Sequence, residues 1–341
     1  MVTAPCRWEE MSDLTDSSHG LLSSRGRPAG GGHSRRIMLL AVLLVATALV
    51  PFVQELTAQP AIRYAQTAAL VEDQTVELDR YRHAVGVDRV ERDGHVYGDK
   101  APLQPILAAP AYATAKLAGA ESADHLRVDG NLGLWWVTLW STVVPLLAIV
   151  ALGASVGSRL VGTREGALAA VVMALGSLMA AYGTQLYAHV LAGLLGWACW
   201  LAIGRSPGGR GWMVAAGALG GAAVATEYPM AIVVVVCLVV LARQARWRDL
   251  AWFCLGGLPF AGLLLGYQWV AYGSPFSVSY GNKAVHDSDP LVVGLPNPIQ
   301  LLEVLFGSRG IVIFTPVVAV ALWGLWRLAT TASGERRLHG Q

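Results

Sequence analysis

Long apolar segments alternate with polar stretches along most of the chain. A helix needs about 20 predominantly apolar residues to cross the hydrocarbon core of a bilayer. The pattern therefore predicts an all-α polytopic membrane protein with about eight transmembrane helices. The predicted spans are Ile37–Val53, Leu132–Leu152, Gly166–Ala181, Leu186–Ile203, Trp212–Ala225, Pro229–Ala242, Leu250–Ala271 and Ile311–Leu328.

Two segments make the number of spans ambiguous. Ala101–Leu117 is apolar enough for a further span but contains three prolines, and Trp212–Ala242 would be a single long helix with Glu227 in its middle. A charged side chain at the bilayer centre costs about 2.5–3.5 kcal/mol on insertion scales. A break at Glu227-Tyr228-Pro229 moves the acid to the outer surface and avoids this cost.

Arginines mark one side of the predicted bundle. They occur in the short loops after the second, fourth and sixth spans, at Arg159, Arg164, Arg205, Arg210, Arg243, Arg246 and Arg248. Cytoplasmic loops of membrane proteins carry an excess of Lys and Arg. Eight spans with both termini cytoplasmic satisfy this rule, whereas a further span at 101–117 or a fused helix at 212–242 would turn these loops outward.

This topology divides the chain into a membrane domain and two tails. Residues 1–36 are predicted to be a disordered cytoplasmic tail, because this Gly-, Ser- and Pro-rich stretch has little to bury. Residues 37–328 form the membrane domain, with a large extracytoplasmic loop at 54–131 and a second at 272–310. Residues 329–341 form another cytoplasmic tail. The predicted location is the cell membrane, with multiple passes.

The first exterior loop is predicted to carry two helices at the membrane interface. Its opening stretch, Ala61–Glu72, has apolar positions that suit a helix lying along the bilayer surface. Ala101–Leu117 is the second, as an interfacial or re-entrant helix. Between them the loop is acidic and irregular.

The composition agrees with a membrane protein. Hydrophobic residues make up 54% of the chain and charged residues 14%, whereas a soluble domain usually has about a quarter charged residues. This deficit of charge, together with the apolar runs, excludes an ordinary cytosolic enzyme. The net charge is only +2 without a basic block, which excludes a disordered protein and a nucleic-acid-binding protein. The cysteines form no Cys-x-x-Cys pair, so we interpret them as packing residues: Cys6, Cys199, Cys237 and Cys254.

Two motifs in the first exterior loop resemble a known family. Arg63-Tyr64-Ala65 follows the first span, and Gly94-x-x-Tyr97-x-Asp99-Lys100-Ala101-Pro102-Leu103 precedes the proline-rich helix. Together they resemble the first exterior loop of C-type (GT-C) membrane glycosyltransferases, in particular the bacterial protein-mannosyltransferase-like and aminoarabinose-transferase-like branches. Two later segments, Tyr272–Tyr280 and Phe306–Gly310 with Thr315-Pro316, are similar to segments of bacterial members.

The resemblance implies an enzyme of the cell envelope. Such enzymes transfer a hexosyl or pentosyl group from a polyprenyl-phosphate carrier to a glycan, lipid or protein acceptor at the extracytoplasmic face. They need an ionised acid to remove the acceptor proton, cations to hold the carrier phosphate, and an apolar groove for the polyprenyl chain. The partners are then membrane lipids, the lipid-linked sugar and its acceptor. The resemblance leaves open whether the enzyme uses a divalent metal as a cofactor, and no metal ligands are predicted.

The resemblance implies three residues for the carrier phosphate. Lys100 matches the lysine that faces the phosphate, and Arg63 matches the arginine after the first span. Arg309, in Phe-Gly-Ser-Arg-Gly, is a further candidate because glycines let backbone N–H groups approach an anion. Each of the three has an alternative role. Lys100 could contact anionic lipid headgroups, Arg63 could pair with Glu72 or Asp73, and Arg309 could be an ordinary loop arginine.

The catalytic acid is harder to predict. In the aminoarabinose-transferase branch an acidic pair stands shortly before the arginine, where this chain has Pro60 and Ala61. The remaining candidates are Glu55, Asp73 and Asp99, each of which could instead be a solvated loop residue.

Further polar residues are predicted on the same outer face as substrate-binding residues. Tyr97 belongs to the first motif, and His189 lies close in sequence to Tyr182 and Tyr187, where the third and fourth spans meet. Glu227 and Tyr228 lie in the predicted break between the fifth and sixth spans. A structural histidine and an ordinary helix-ending turn are the alternatives.

Two other classes of function stay open. A non-catalytic or truncated GT-C-like protein, which binds lipid-linked sugars or supports a partner, is favoured by the missing acidic pair. A transporter or flippase is the other, although charged residues avoid the centres of the predicted spans.

Overall fold

The computed structural model describes residues 31–52, 56–86, 88–121, 131–205, 209–277, 279, 297–308 and 310–339. Most of this part of the chain is helical, as the apolar pattern predicts. The helices are α1 Gly31–Leu49, α2 Ala58–Ala68, α3 Leu103–Leu117, α4 Leu132–Leu160, α5 Thr163–Leu175, α6 Leu178–Gly183, α7 His189–Gly204, α8 Arg210–Thr226, α9 Ala231–Arg243, α10 Trp247–Tyr272, α11 Pro298–Phe306, α12 Ile311–Phe314 and α13 Val317–His339.

Local chemistry explains where several helices begin and end. The side chain of Asn131 accepts a hydrogen bond from Leu134 N at the start of α4. Asn297 and Gln300 form a capping box at the start of α11, with Pro298 at its first position. The predicted break after α8 is confirmed, because α8 ends at Thr226 and a short 3₁₀ turn, Tyr228–Met230, leads into α9.

In the part of the chain that the structure describes, two short strands interrupt the helices. β1 (Arg89–Arg92) and β2 (His95–Gly98) form an antiparallel hairpin in which Arg92 lies opposite His95. The turn between them is Asp93-Gly94, and both residues have positive φ angles, 52° and 87°. Two-residue hairpin turns of this kind favour Asp-Gly because glycine adopts positive φ without strain.

Among the described residues, three helices are long and apolar enough to cross a membrane: α1 from Gly32, α4 and α10. A fourth candidate is the pair formed by 298–314 and 317–327, which is bent by 92°. The other apolar helices are shorter. With 13 residues, α5 is about 20 Å long, less than the ~30 Å hydrocarbon core. Each predicted span contains a helix, and the number of eight spans stays a prediction.

The helices pack around several apolar groups, one of which lies between α2, α3 and the start of α4. Two more lie between other sets of helices. One joins α1, α4, α5 and α7 around buried residues such as Val45 and Val150. The other joins α7, α8, α9 and α10 around residues such as Cys199, Cys237 and Phe253. Cys199, Cys237 and Cys254 are free thiols, so the described cysteines form no disulfide and two of them serve as packing residues.

The element bounds differ from the sequence predictions at several places. The predicted span Leu132–Leu152 continues as α4 to Leu160, Gly166–Ala181 is divided between α5 and α6, and Ile311–Leu328 is divided between α12 and α13. α1 begins at Gly31 rather than Ile37, and the rest of the predicted tail lies outside the described residues. α13 continues past Leu328 to His339. α2, extended by a π-helical turn over Ala69–Asp73, is present as predicted, but its residues 60–68 are all buried. It is therefore a core element, because α3 and the hairpin cover the side that was predicted to lie on the bilayer.

Candidate functional site

The hairpin positions the Tyr97–Lys100 segment against the last turns of α10. The Tyr97 ring packs with Tyr267 and Tyr272 in a small apolar cluster. The carbonyl oxygen of Gly98 accepts two hydrogen bonds, one from each of the hydroxyls of Tyr267 and Tyr272, both at 2.8 Å. Two donors on one oxygen fasten this segment to α10.

Lys100 lies between two carboxylates. Its Nζ is 3.1 Å from Asp99 Oδ2 and 3.4 Å from Asp88 Oδ1. The Lys100 side chain is only 7% exposed, and that of Asp99 is fully buried. Water screens such buried pairs weakly, so their attraction is stronger than that of surface pairs. In this arrangement the positive charge of Lys100 is neutralised by its own neighbours.

Arg63 is the second buried cation. It extends from α2 to the break between α8 and α9, where its guanidinium group donates a hydrogen bond to Glu227 Oε1. The Arg63 side chain is 1% exposed. Glu227 Oε1 also lies 3.4 Å from His189 Nδ1 at the start of α7. Glu227, which follows α8, thus contacts a side chain of α2 and a side chain of α7.

These two groups of charges belong to one site. His189 lies within electrostatic range of Arg63, Lys100 and Glu227. We call the set Arg63, Asp88, Asp99, Lys100, His189 and Glu227 the central cluster. Residues predicted from four separate segments of the sequence therefore converge here, although Asp88 was not among the candidates.

Aromatic side chains surround the central cluster. The rings of Tyr187 and His189 stack with centroids 5.3 Å apart, and Tyr182 packs edge-on against both. Tyr228 lies close to Tyr272 and Tyr267. The predicted grouping of Tyr182, Tyr187 and His189 is confirmed, and Tyr228 lies beside the tyrosines that hold Gly98.

Asp73 lies apart from the central cluster. Its Oδ1 is 3.0 Å from Arg80 Nη1, which is also 3.1 Å from Glu72 Oε2. Glu72 also lies 3.5 Å from Lys116 Nζ and accepts a hydrogen bond from Tyr112. We call Glu72, Asp73, Arg80 and Lys116 the outer cluster. The suggested pairing of Arg63 with Glu72 or Asp73 is wrong, because Arg63 points to the opposite side of α2, toward Glu227.

Another predicted substrate-binding residue, Tyr97, does not enter the central cluster. The Tyr97 ring is buried, and its hydroxyl donates to Glu77 Oε1 at 3.4 Å, outside the site. Tyr97 therefore fastens the hairpin. Glu55 and Arg309 lie outside the described residues.

Among the described residues, one group of side chains could hold a metal ion. Ligand atoms of Glu77, Asp79 and His95 all lie within 4.8 Å of one another on the outer face of the hairpin. His95 Nδ1 is 2.6 Å from Asp79 Oδ2, and this hydrogen bond, with the charge of Glu77, raises the pKa of His95. Burial by itself would raise the pKa of Asp79, but hydrogen bonds from His95 and Val96 N outweigh burial, so this pKa is lowered. The sequence analysis did not predict this group. Its only trace in the sequence is the pair of spacings Glu-x-Asp and His-x-Tyr, which are common in loops that bind no metal.

A cavity of about 540 Å³ opens beside the Gly98 attachment. Its wall is mostly apolar and is formed by α2, the start of α3 and the middle of α10, with residues such as Leu70, Pro102, Ile106, Leu263 and Tyr267. Gln66 also lines it. The Gln66 amide donates to the Tyr267 hydroxyl at 3.0 Å, and its Oε1 is buried without a hydrogen-bond partner in the described part of the chain.

Sequence reasoning missed Asp88, Gln66, Tyr267 and Tyr272. Asp88 is one of many acids in the loop, and the tyrosines end a long apolar helix where aromatic residues are common. The roles of Gln66, Tyr267 and Tyr272 depend on contacts between residues more than 150 positions apart in sequence, such as Tyr267 with Gly98.

No family model, curated protein or solved structure matches the chain. The resemblance to GT-C glycosyltransferases therefore rests on the motif residues themselves.

Proposed function

We propose that the protein is an integral membrane glycosyltransferase that moves a sugar from a polyprenyl-phosphate carrier to an acceptor at the extracytoplasmic face. The observation that carries the proposal is the convergence of Arg63 and Lys100 with three carboxylates beside an apolar cavity. Cations and acids in one buried site are what this transfer needs.

The charges of the central cluster suggest how the reaction proceeds. The carrier phosphate displaces a carboxylate from Lys100, and Asp88 is the more exposed of the two. The released Asp88 accepts the proton of the acceptor group. The acceptor oxygen or nitrogen then forms a bond to C1 of the sugar, and the bond between C1 and the phosphate oxygen breaks. The electron pair stays on the phosphate, where Lys100 and Arg63 stabilise the added negative charge.

The cavity beside Gly98 would hold the first isoprene units of the carrier. Its wall includes Tyr267, whose hydroxyl binds the segment that carries Lys100. A chain in this cavity would bring its phosphate toward Lys100. Burial of apolar chain surface contributes about 25 cal/mol per Å², so the cavity would supply affinity while the cations supply orientation.

Eight spans with both termini in the cytoplasm belong to the same proposal. The arginine-rich ends of α4, α7, α8, α9 and α10 would face the cytoplasm, and the central cluster would face the exterior. Polyprenyl-phosphate sugars are available there, and α3 would be an interfacial or re-entrant helix.

The test compares Lys100→Gln with Lys116→Gln by native mass spectrometry of the purified full chain supplied with polyprenyl phosphate. Lys116 is the matched control because it is a lysine of the same exterior segment, paired with Glu72 in the outer cluster. We expect the lipid on the wild type and on Lys116→Gln and its loss from Lys100→Gln. Equal retention by all three proteins would overturn the proposal.

A second candidate is a non-catalytic protein that binds a lipid-linked sugar. The pairing of Lys100 with Asp99 and Asp88 favours it, because both carboxylates compete with a phosphate. The two candidates differ in turnover. With a sugar-loaded carrier and a mixed acceptor extract, the enzyme releases free polyprenyl phosphate, whereas the binding protein returns the loaded carrier unchanged.

A further inference from the structure

A second cavity lies at the opposite end of the helices from the Gly98 attachment. It has a volume of about 510 Å³ and is formed where α8 and α10 begin. Its lining combines three arginines, two tryptophans and one acid: Arg210, Arg246, Arg248, Trp247, Trp252 and Asp249. The function proposed above makes no use of it.

The side chains that line this cavity carry a net positive charge. Arg246 binds Asp249, with Nη2 at 2.7 Å from Oδ2. In the described part of the chain, neither Arg210 nor Arg248 forms an ion pair, and the guanidinium of Arg210 lies 5.7 Å from the Trp252 ring. Three arginines and one aspartate leave a formal charge of +2 on the cavity wall.

Two helix N-termini add to this field. Gly209 and Arg246 precede the first turns of α8 and α10, and neither helix has a side-chain hydrogen bond as a cap. The first N–H groups of a helix have no partner within it, and the helix dipole makes this end positive. Backbone donors and guanidinium groups thus meet at the same cavity, an arrangement that suits a phosphate group.

The surroundings favour a lipid over a small anion. Trp212 and Trp247 are exposed beside the cavity, as tryptophans at a bilayer interface are. Leu255 lies two turns beyond Arg248 on the same face of α10 and is also exposed. A ligand with a phosphate at the helix starts would therefore have apolar surface on which to place its acyl chains.

We propose that this cavity binds the headgroup of an anionic phospholipid, with the phosphate between Arg210 and Arg248. The phosphate lies at the starts of α8 and α10, Trp247 packs at the glycerol level, and the acyl chains follow α10 past Leu255. The site is independent of the transfer reaction, so it stands whether or not the proposed function does.

The experiment is native mass spectrometry of the full chain after equilibration with equal amounts of phosphatidylglycerol and phosphatidylcholine. The double variant Arg210→Gln/Arg248→Gln is compared with Arg159→Gln/Arg164→Gln, which removes two exposed arginines from the end of α4 and the start of α5. A basic residue near an anionic lipid contributes about five-fold in affinity. We therefore expect the preference for phosphatidylglycerol to fall about 25-fold in the first variant and to persist in the second.

Three outcomes would overturn the proposal. The first is a wild type without a preference for phosphatidylglycerol. The second is an equal loss of the preference in both double variants. The third is displacement of the lipid by millimolar inorganic phosphate. Should the glutamine variant fail to fold, Arg210→Lys/Arg248→Lys keeps the charge, and we expect it to retain most of the preference. The wild-type preference is also expected to weaken from 0.15 to 0.5 M salt, because screening shortens the reach of the arginines.

Discussion

The central and outer clusters contain the same kinds of side chain in different surroundings. In the outer cluster Arg80 is 42% exposed, and its pairs with Glu72 and Asp73 are accessible to water. In the central cluster Arg63, Asp99 and Lys100 are almost completely buried. Exposed ion pairs cost little and contribute little, whereas buried charges carry a large desolvation cost. The comparison suggests that the outer cluster holds the loop together and that the central cluster has a chemical task.

The largest expected effect follows from removal of the buried guanidinium. Arg63→Met leaves Glu227 without its buried partner, and we expect a loss of about 3–5 kcal/mol in the free energy of unfolding. Arg80→Met is the control in the outer cluster, with an expected loss of less than about 1 kcal/mol. Unfolding of the detergent-solubilised protein by SDS titration, followed by circular dichroism, measures both.

The double variant Arg63→Met/Glu227→Leu sharpens this comparison. It removes both charges of the pair, so most of the lost stability should return. Carrier binding should not return, because the phosphate has lost a cation. Equal destabilisation by Arg63→Met and Arg80→Met would mean that burial does not distinguish the two clusters.

The second prediction concerns the proposed base. Asp88→Asn removes the proton acceptor and one competitor of the carrier phosphate at Lys100. Transfer should fall about 100-fold or more, while binding of polyprenyl phosphate stays equal or becomes tighter. Asp73→Asn in the outer cluster should leave both unchanged. A variant Asp88→Asn that transfers sugar at the wild-type rate contradicts the assignment of this residue.

A smaller effect is expected at the Gly98 attachment. Tyr267→Phe removes one of the two donors to the Gly98 carbonyl and also the acceptor of the Gln66 amide. Tyr272→Phe removes the other donor to the Gly98 carbonyl. A net hydrogen bond contributes about 1 kcal/mol, so Tyr267→Phe should be the more destabilising by about that amount. Thermal unfolding tests the order, and Tyr182→Phe, which keeps its ring contacts, serves as the control.

The smallest effect concerns pH and the hairpin. Because the pKa of His95 is raised by Asp79, its stabilising charge is fully present below pH 6.5 and is lost as the pH rises through the raised pKa. Because the pKa of Asp79 is lowered, its contribution is present above pH 3.8 and is lost as the pH falls through the lowered pKa. The protection factor of the Val96 amide, which donates to Asp79, should therefore decline on both sides of this window. In His95→Gln the decline at high pH should disappear, and its persistence would point to another group.

Much of the fold could be predicted because its causes are local. The break at Glu227-Tyr228-Pro229 follows from a proline and a costly charge within three consecutive residues, and the Asp93-Gly94 turn follows from backbone preference alone. The hydrophobic pattern of α2 gave its position but not its surroundings. An apolar stripe fits a lipid surface or a protein interior equally well, and only the fold provides α3 to cover it.

The candidate site was predictable to a smaller extent. The motif residues Arg63, Asp99 and Lys100 could be singled out, but the partner of Arg63 lies 164 positions away. No local pattern favours Glu227 over the nearer Glu72 as that partner. The choice depends on which side of α2 faces the break between α8 and α9, a matter of tertiary packing.

The two tyrosine hydroxyls on the Gly98 carbonyl have a mechanical consequence. They link the segment that carries Lys100 to the last turns of α10, while Arg63 is held by the break between α8 and α9. A change in the tilt of α10 would therefore move one cation relative to the other. Because a long apolar helix adjusts its tilt to the thickness of the bilayer, the membrane insertion proposed for α10 would make the spacing of the two cations depend on bilayer thickness.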